Sequence, residues 1–196
     1  MSVLAFSAYA HELSQLLSNV EVTTDSTIKQ SLDEGIKRSL LMILSKKTGR
    51  NRIFVIGNGG SAAIASHMQN DLCKSVGVRS LVFHETPLLS ALSNDQSYSE
   101  AFEILVSLWA EKGDLLIAIS SSGQSENILR AADAAMNKGC DVITLSGFKM
   151  DNPLRKKGLI NFYVPSDQYG FVEPVHSILA HYLSDSTKFP SENQLS

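Results

Sequence analysis

Residues 54–72 read FVIGNGGSAAIASHMQNDL, and the reading of this stretch decides the fold. An apolar run ends in glycines, passes through Ser61 and becomes a helical pattern at once, with His67 and Asp71 one turn apart. A buried strand turning through glycine into a helix is the opening unit of an α/β sheet. The turn itself suits a phosphate, a dinucleotide, a metal or merely a tight connection, and the rest of the chain must choose.

Working outward, β-branched apolar runs recur at RIFVIG (52–57), RSLVF (79–83), DLLIAIS (114–120), DVITLSG (141–147) and LINFYVP (159–165). Helical stretches separate them at Ser61–Val76, Glu100–Lys112, Ser125–Lys138 and around Asn152–Lys157. Continuous apolar strands between helices predict a parallel sheet covered on both faces. Five such strands predict a doubly wound, flavodoxin-like order 2-1-3-4-5, with ligands bound at the switch between strands 1 and 3.

Two helices are expected first, Ala5–Val20 and Ser26–Lys46. The second rests on Ile28, Leu32, Ile36, Leu40 and Leu44, which recur every fourth residue. A last helix is expected to follow Pro174 and run through His181 to Ser184. The organisation is then an N-terminal helical extension over 1–50, an α/β domain over 51–188 and a loose polar tail over 189–196.

The 196 residues suit one domain, and 43% hydrophobic with 19% charged residues is an ordinary globular balance. A formal net charge of -3 carries no footprint for nucleic acid. Cys73 and Cys140 are the only cysteines, read as two buried, reduced thiols in a reducing compartment. Ala8-Tyr9-Ala10 imitates a signal-peptidase site, but no Lys or Arg precedes the apolar part. No run reaches membrane-spanning length, so a cytoplasmic protein without a membrane partner is expected.

The two loops at the switch are the chemically unusual ones: GNGGSA (57–62) and SSSGQSEN (120–127), each opening a helix. Glycine permits close backbone approach, serine offers a hydroxyl, and a helix start attracts an anion. Ser120, Ser121, Ser122 and Ser125 are the phosphate candidates, with simple helix capping as the alternative for Ser125. A dinucleotide is the rival, because Gly57, Gly59 and Ala62 satisfy G-x-G-x-x-A and Glu85 follows strand 2. A dinucleotide has no need of the second serine-rich loop, and a small sugar phosphate suits the space better.

His67 and Asp71 share one helix face, a pattern that suits a divalent metal such as zinc, an acid/base pair, or a plain surface ion pair. Glu173 and His181 lie about 12 Å apart on a straight helix. Pro174 as the first helical residue would leave Glu173 outside the helix and free to turn toward His181. His176 reads as a satisfied core or interface histidine.

GNGGSAAIASHMQNDL, LSNDQSYSEAF, GDLLIAISSSGQSENILRAA, GCDVITLSG and VEPVHSILAHYL together resemble the SIS (sugar isomerase) domain, and within it the sedoheptulose 7-phosphate isomerase group. The resemblance covers most of the chain, and the 51–188 region would be the SIS domain. It implies a homotetramer with an N-terminal helical bundle and active sites between subunits, where His181 and Glu173 could meet His67 and Asp71 from different chains. It implies substrate contacts at Asn58, Gly59, Gly60, Asn94, Asp95, Ser120, Ser121, Ser122, Ser125 and Glu173. It also implies zinc held by His67, Asp71, Glu173 and His181, with Asp71 and His181 as acid/base groups.

The implied reaction interconverts sedoheptulose 7-phosphate and D-glycero-D-manno-heptose 7-phosphate for bacterial surface glycans such as lipopolysaccharide and capsule. An isomerase for another phosphosugar and a noncatalytic, DnaA-associating relative are the alternatives. Two residues depart from the family pattern. Asp71 stands where glutamate is usual, and Glu173 where glutamine is usual.

Overall fold

The structure, a computed structural model, describes residues 5–25 and 28–188. Its centre is a run of parallel strands: β3 (Ile53–Ile56), β4 (Ser80–Leu81), β5 (Leu115–Ser120), β6 (Asp141–Ser146) and β7 (Ile160–Tyr163). They stand in the order β4-β3-β5-β6-β7, each parallel to its neighbour. All residues of β3, β5 and β7 are buried, as strands covered on both faces must be.

Alternation divides the core. Leu115, Ile117 and Ile119 of β5 join one apolar cluster, and Leu116 and Ala118 join the other. Helices α2 (Leu32–Gly49), α3 (Gly60–Asp71) and α7 (Tyr169–Lys188) cover the first face; α5 (Ala101–Trp109) and α6 (Glu126–Asn137) cover the second. A π-helical turn, Leu72–Val76, continues α3, and a 3-10 turn, Pro153–Lys156, stands before β7.

The sheet is seven-stranded and mixed, not five-stranded and parallel. After α1 (Phe6–Ser18), β1 (Glu21–Thr24) and β2 (Ile28–Gln30) form a hairpin, and β1 pairs antiparallel with β7. The N-terminal region is therefore not a purely helical extension. Val20 and Val22 lie in the main core, as do Ile36, Leu40 and Ile43 of α2. Helix α2 begins at Leu32 rather than Ser26, because Ser31 caps it by accepting from the Glu34 amide at 3.2 Å. Ile28, assigned to the helical stripe by spacing, is an exposed strand residue.

Two further elements differ from expectation. Helix α4 (Thr86–Asp95) occupies a stretch with no expected element. Helix α7 begins at Tyr169 and contains Pro174 rather than following it. Proline has no N–H to give the Gly170 carbonyl four residues back, and that carbonyl instead accepts from the Tyr9 hydroxyl of α1. Tyr9 also stacks on Phe171 with ring centroids 4.6 Å apart.

Cys140 is buried, which pushes its thiol up to about 11, but Cys73 is exposed and is not the core thiol expected of it. The expected tail over 189–196 lies outside the described residues. No helix among the described residues is long and apolar enough to cross a membrane.

Candidate active site

The loops after β3 and β5 converge. Asn58, Ser61, Ser120, Ser121, Ser122 and Ser125 line one cavity of about 90 Å³, closed on its far side by Tyr169 and Glu173 of α7. The local chain explains the shape. Gly59 adopts φ +54 at the head of α3, and Gly123 adopts φ +64 to turn the serine loop back, both in the left-handed region that glycine enters at least cost.

Neither helix start facing this cavity carries a side-chain cap. Gly59 cannot supply one, and Ser125 makes no capping bond to α6; its hydroxyl accepts from Ser120 at 3.2 Å instead. Helix capping is thus not the reason for Ser125. Two helix starts with unspent N–H groups, ringed by hydroxyls, form a ready anion site.

Behind the serines lies a network that local patterns did not reveal. Asn58 Nδ2 donates to Asn127 Oδ1 at 2.9 Å, and Asn127 Nδ2 returns a bond to Asn58 Oδ1 at 3.0 Å. The Tyr98 hydroxyl donates to the same Asn58 oxygen at 2.7 Å. Asn127 is buried on α6, and a buried amide on a core-facing helix is costly unless paired, which was the available signal. Ser61 and Tyr169 also join the cavity without having been singled out as ligands. On the outer side of the glycine loop, His84 pairs with Ser66 at 3.0 Å, and burial lowers its pKa despite an opposing hydrogen bond to the Gly57 backbone.

The second group is made of side chains. His67 Nε2 lies 3.6 Å from Asp71 Oδ2, and His181 Nδ1 lies 3.5 Å from the same oxygen. The two imidazoles meet edge to face at 4.5 Å. One ligand atom from each residue lies within 4.8 Å of the others, around a gap of about 10 Å³, the scale of one water or ion. Ligands at about 2.0–2.1 Å from a tetrahedral zinc stand roughly 3.4 Å apart, so this two-histidine, one-carboxylate set fits a divalent metal. The histidine side chains are 59% and 45% exposed, which leaves the group an open face.

His181 reaches His67 and Asp71 within one chain, so a second subunit is not needed for that meeting. Glu173 does not join them. As an interior residue of α7 it stands two turns from His181, and its carboxylate lies over the start of α3, where a Cβ at Gly60 would collide with it. Its place is the serine cavity, where a helix start attracts its charge. The fourth metal ligand expected at Glu173 is therefore not assembled here. Asn94 and Asp95 end α4 in exposed positions, with Asn94 Nδ2 donating to Asp95 Oδ1 at 3.0 Å, and neither lines the serine cavity or the histidine gap.

Residues 8–147 match the SIS domain family. The phosphoheptose isomerase of Shewanella sediminis is 31% identical over 185 residues, covering 88% of this chain and 93% of that protein. The Shewanella frigidimarina phosphoheptose isomerase is 30% identical with the same coverage. Among solved structures, the phosphoheptose isomerase GmhA from Neisseria gonorrhoeae superposes with a TM-score of 0.79 at 24% identity, over 92% of this chain and 96% of that one. One from Francisella tularensis gives 0.78 at 23%, over 93% and 95%. With the family match spanning well over half its length, the chain belongs to the SIS domain family.

Proposed function

We infer that the chain is a sedoheptulose 7-phosphate isomerase that interconverts this ketose phosphate with D-glycero-D-manno-heptose 7-phosphate. The observation that carries the reading is one arrangement: an anion-accepting cavity with two uncapped helix starts, and an acid/base cluster two turns away along α7. Glu173 and His181 mark the two ends, about 12 Å apart by helix rise. An extended seven-carbon chain with bonds of about 1.5 Å, plus its phosphate ester, reaches roughly 10 Å. With the side chains at each end reaching toward it by roughly a further 1–2 Å, a long-chain sugar phosphate spans the two regions, whereas a triose phosphate falls short. Relatives named phosphoheptose isomerases, 30–31% identical over 88% of the chain, support the same substrate.

In this reading the serine hydroxyls and the backbone N–H groups of α3 and α6 hold the phosphate, and Asn58, fixed by Tyr98 and Asn127, orients the sugar hydroxyls. Asp71 takes the proton from C1, beside the C2 carbonyl, and returns it to C2. His181 moves the hydroxyl proton from O1 to O2, so the enediol collapses to the aldose with no net gain or loss of protons. A zinc ion held by His67, Asp71 and His181 would supply Lewis-acid polarisation of the sugar oxygens.

Glu173 already lines the substrate cavity, and Asn94 and Asp95 would approach the sugar only in the bound state. Helix α1 buries none of its residues and leaves Phe6 83% exposed, which supports assembly of α1 into a homotetrameric bundle. The setting proposed is the cytoplasm, in synthesis of bacterial surface glycans.

Incubation with sedoheptulose 7-phosphate, with and without zinc, should yield the aldose phosphate. A chain that leaves the ketose unchanged in both arms is not this isomerase.

A further inference from the structure

A cluster of four cations lies at the opposite end of the strands from the serine loops. The C-terminal end of α2 and the Gly77–Arg79 segment leading into β4 enclose a cavity of about 340 Å³ at the N-terminal ends of the parallel strands. Lys46, Lys47, Arg50 and Arg79 line it, and no carboxylate or aromatic residue does. In a chain whose net charge is -3, this is a local reversal of sign.

The Lys46 side chain is 6% exposed, and its ammonium donates to Asp141 Oδ2 at 2.5 Å. An ammonium carries three donors, and no other described residue takes the remaining two. Asp141 offsets Lys46 alone. Lys47, Arg50 and Arg79 are exposed and make no ion pair among the described residues. The dipole at the end of α2 accounts for Lys46 and Lys47 there, but not for Arg79, which arrives from a different segment.

Arg50 adds an independent observation. It ends α2 at φ +59, in the left-handed region where glycine or asparagine is the usual residue. An arginine there, like Asp25 and Phe148 at similar φ, bears a strain that glycine would avoid, and it sets the guanidinium on the cavity wall.

We propose that this cavity binds a compact ligand bearing two phosphate groups, a sugar bisphosphate or inorganic diphosphate, at a site separate from the serine cavity. Planar guanidinium forks match phosphate oxygens, and three uncompensated cations match the charge of two phosphates rather than one. The volume is nearly four times that of the serine cavity, enough for a second phosphate group. The lining has no aromatic ring, and its cations favour recognition of phosphate groups over recognition of a nucleobase.

The test is calorimetry on the full chain at about 0.15 M salt, where exposed charges are screened beyond roughly 8 Å. The probes are inorganic pyrophosphate, fructose 1,6-bisphosphate and inorganic phosphate. At least one of the two doubly phosphorylated probes binds, about tenfold or more tighter than phosphate, and which one binds identifies the source. Arg79→Gln and Arg50→Gly each weaken that binding by about tenfold, the loss expected for a charge-assisted hydrogen bond. Arg50→Gly unfolds at the same or a higher temperature, because glycine relieves the positive φ, so its weaker binding is not a folding defect.

Absence of saturable binding at millimolar pyrophosphate and bisphosphate overturns the proposal. So does binding that survives both arginine substitutions but is lost in Ser125→Ala, which would place the anion in the serine cavity. Neither result bears on isomerase turnover, which is measured separately.

Discussion

The serine cavity and the His67, Asp71, His181 group face the same substrate in this proposal but are built from different material. The cavity is made by backbone: two helix starts, a left-handed glycine in each loop, and short hydroxyl side chains with little freedom. The histidine group is made by longer side chains at the surface, two of them about half exposed. Rigid N–H groups hold a phosphate that does not change during reaction, whereas proton transfer needs groups that adjust as charge moves. The contrast predicts that substitutions in the first region act on binding and those in the second on turnover.

The largest effect belongs to the exposed group. His181→Ala should lower kcat by about 10²–10⁴-fold, the usual worth of a positioned acid/base residue, with KM nearly unchanged and little loss of thermal stability. Steady-state kinetics would break the comparison if KM rose while kcat held.

The next effect concerns the helix that joins the two regions. His176 is fully buried on α7, donates Nε2–H to the Ser146 carbonyl at 3.2 Å, and has a pKa lowered to about 4, mainly by burial. The folded state prefers the neutral ring, and the unfolded chain takes up a proton near pH 6.5. His176 therefore contributes stability that is present above about pH 6.5 and is lost as pH falls toward 4, amounting to roughly 3 kcal/mol. Denaturant unfolding at pH 7, 5.5 and 4 should follow this decline, and His176→Gln should flatten it.

Asp71→Glu sharpens the comparison on a smaller scale. The shorter acid already brings Oδ2 within 3.6 Å of both histidines, so lengthening the side chain by one methylene should lower kcat by about ten- to a hundredfold rather than raise it. Higher turnover in Asp71→Glu would mean that the site has not adjusted to aspartate. The smallest effect lies in the cavity. Ser121→Ala should raise KM by about tenfold, the loss of one hydrogen bond to a charged group, while kcat falls far less.

What the sequence discloses follows the range of the forces involved. The parallel strands are legible because burial on both faces demands unbroken apolar runs such as Ile53–Ile56. The serine and glycine loops are legible because their chemistry is local, and His67 and Asp71 because helical spacing alone brings them together. The hairpin is not legible from the apolar spacing: the stripe through Leu32, Ile36 and Leu40 continues to Ile28 by coincidence, and only pairing with β7 reveals a strand in β1. The start of α7 is hidden for a similar reason. Proline inside a helix leaves a carbonyl unsatisfied, and the hydroxyl that satisfies it comes from Tyr9, far away in sequence. Misplacing that start is what frees Glu173 to join the histidines on paper, although the folded helix holds it at the serines.

The bond from Tyr9 to the Gly170 carbonyl makes α1 a latch. Leu13, Leu16 and Leu17 rest on the main core only partly buried, and Tyr9 secures the first turn of the helix that carries Glu173, His176 and His181. Whatever grips α1 from outside also sets how firmly that turn is wound, and a cut that removes α1 would let α7 fray at the end nearest the substrate's phosphate.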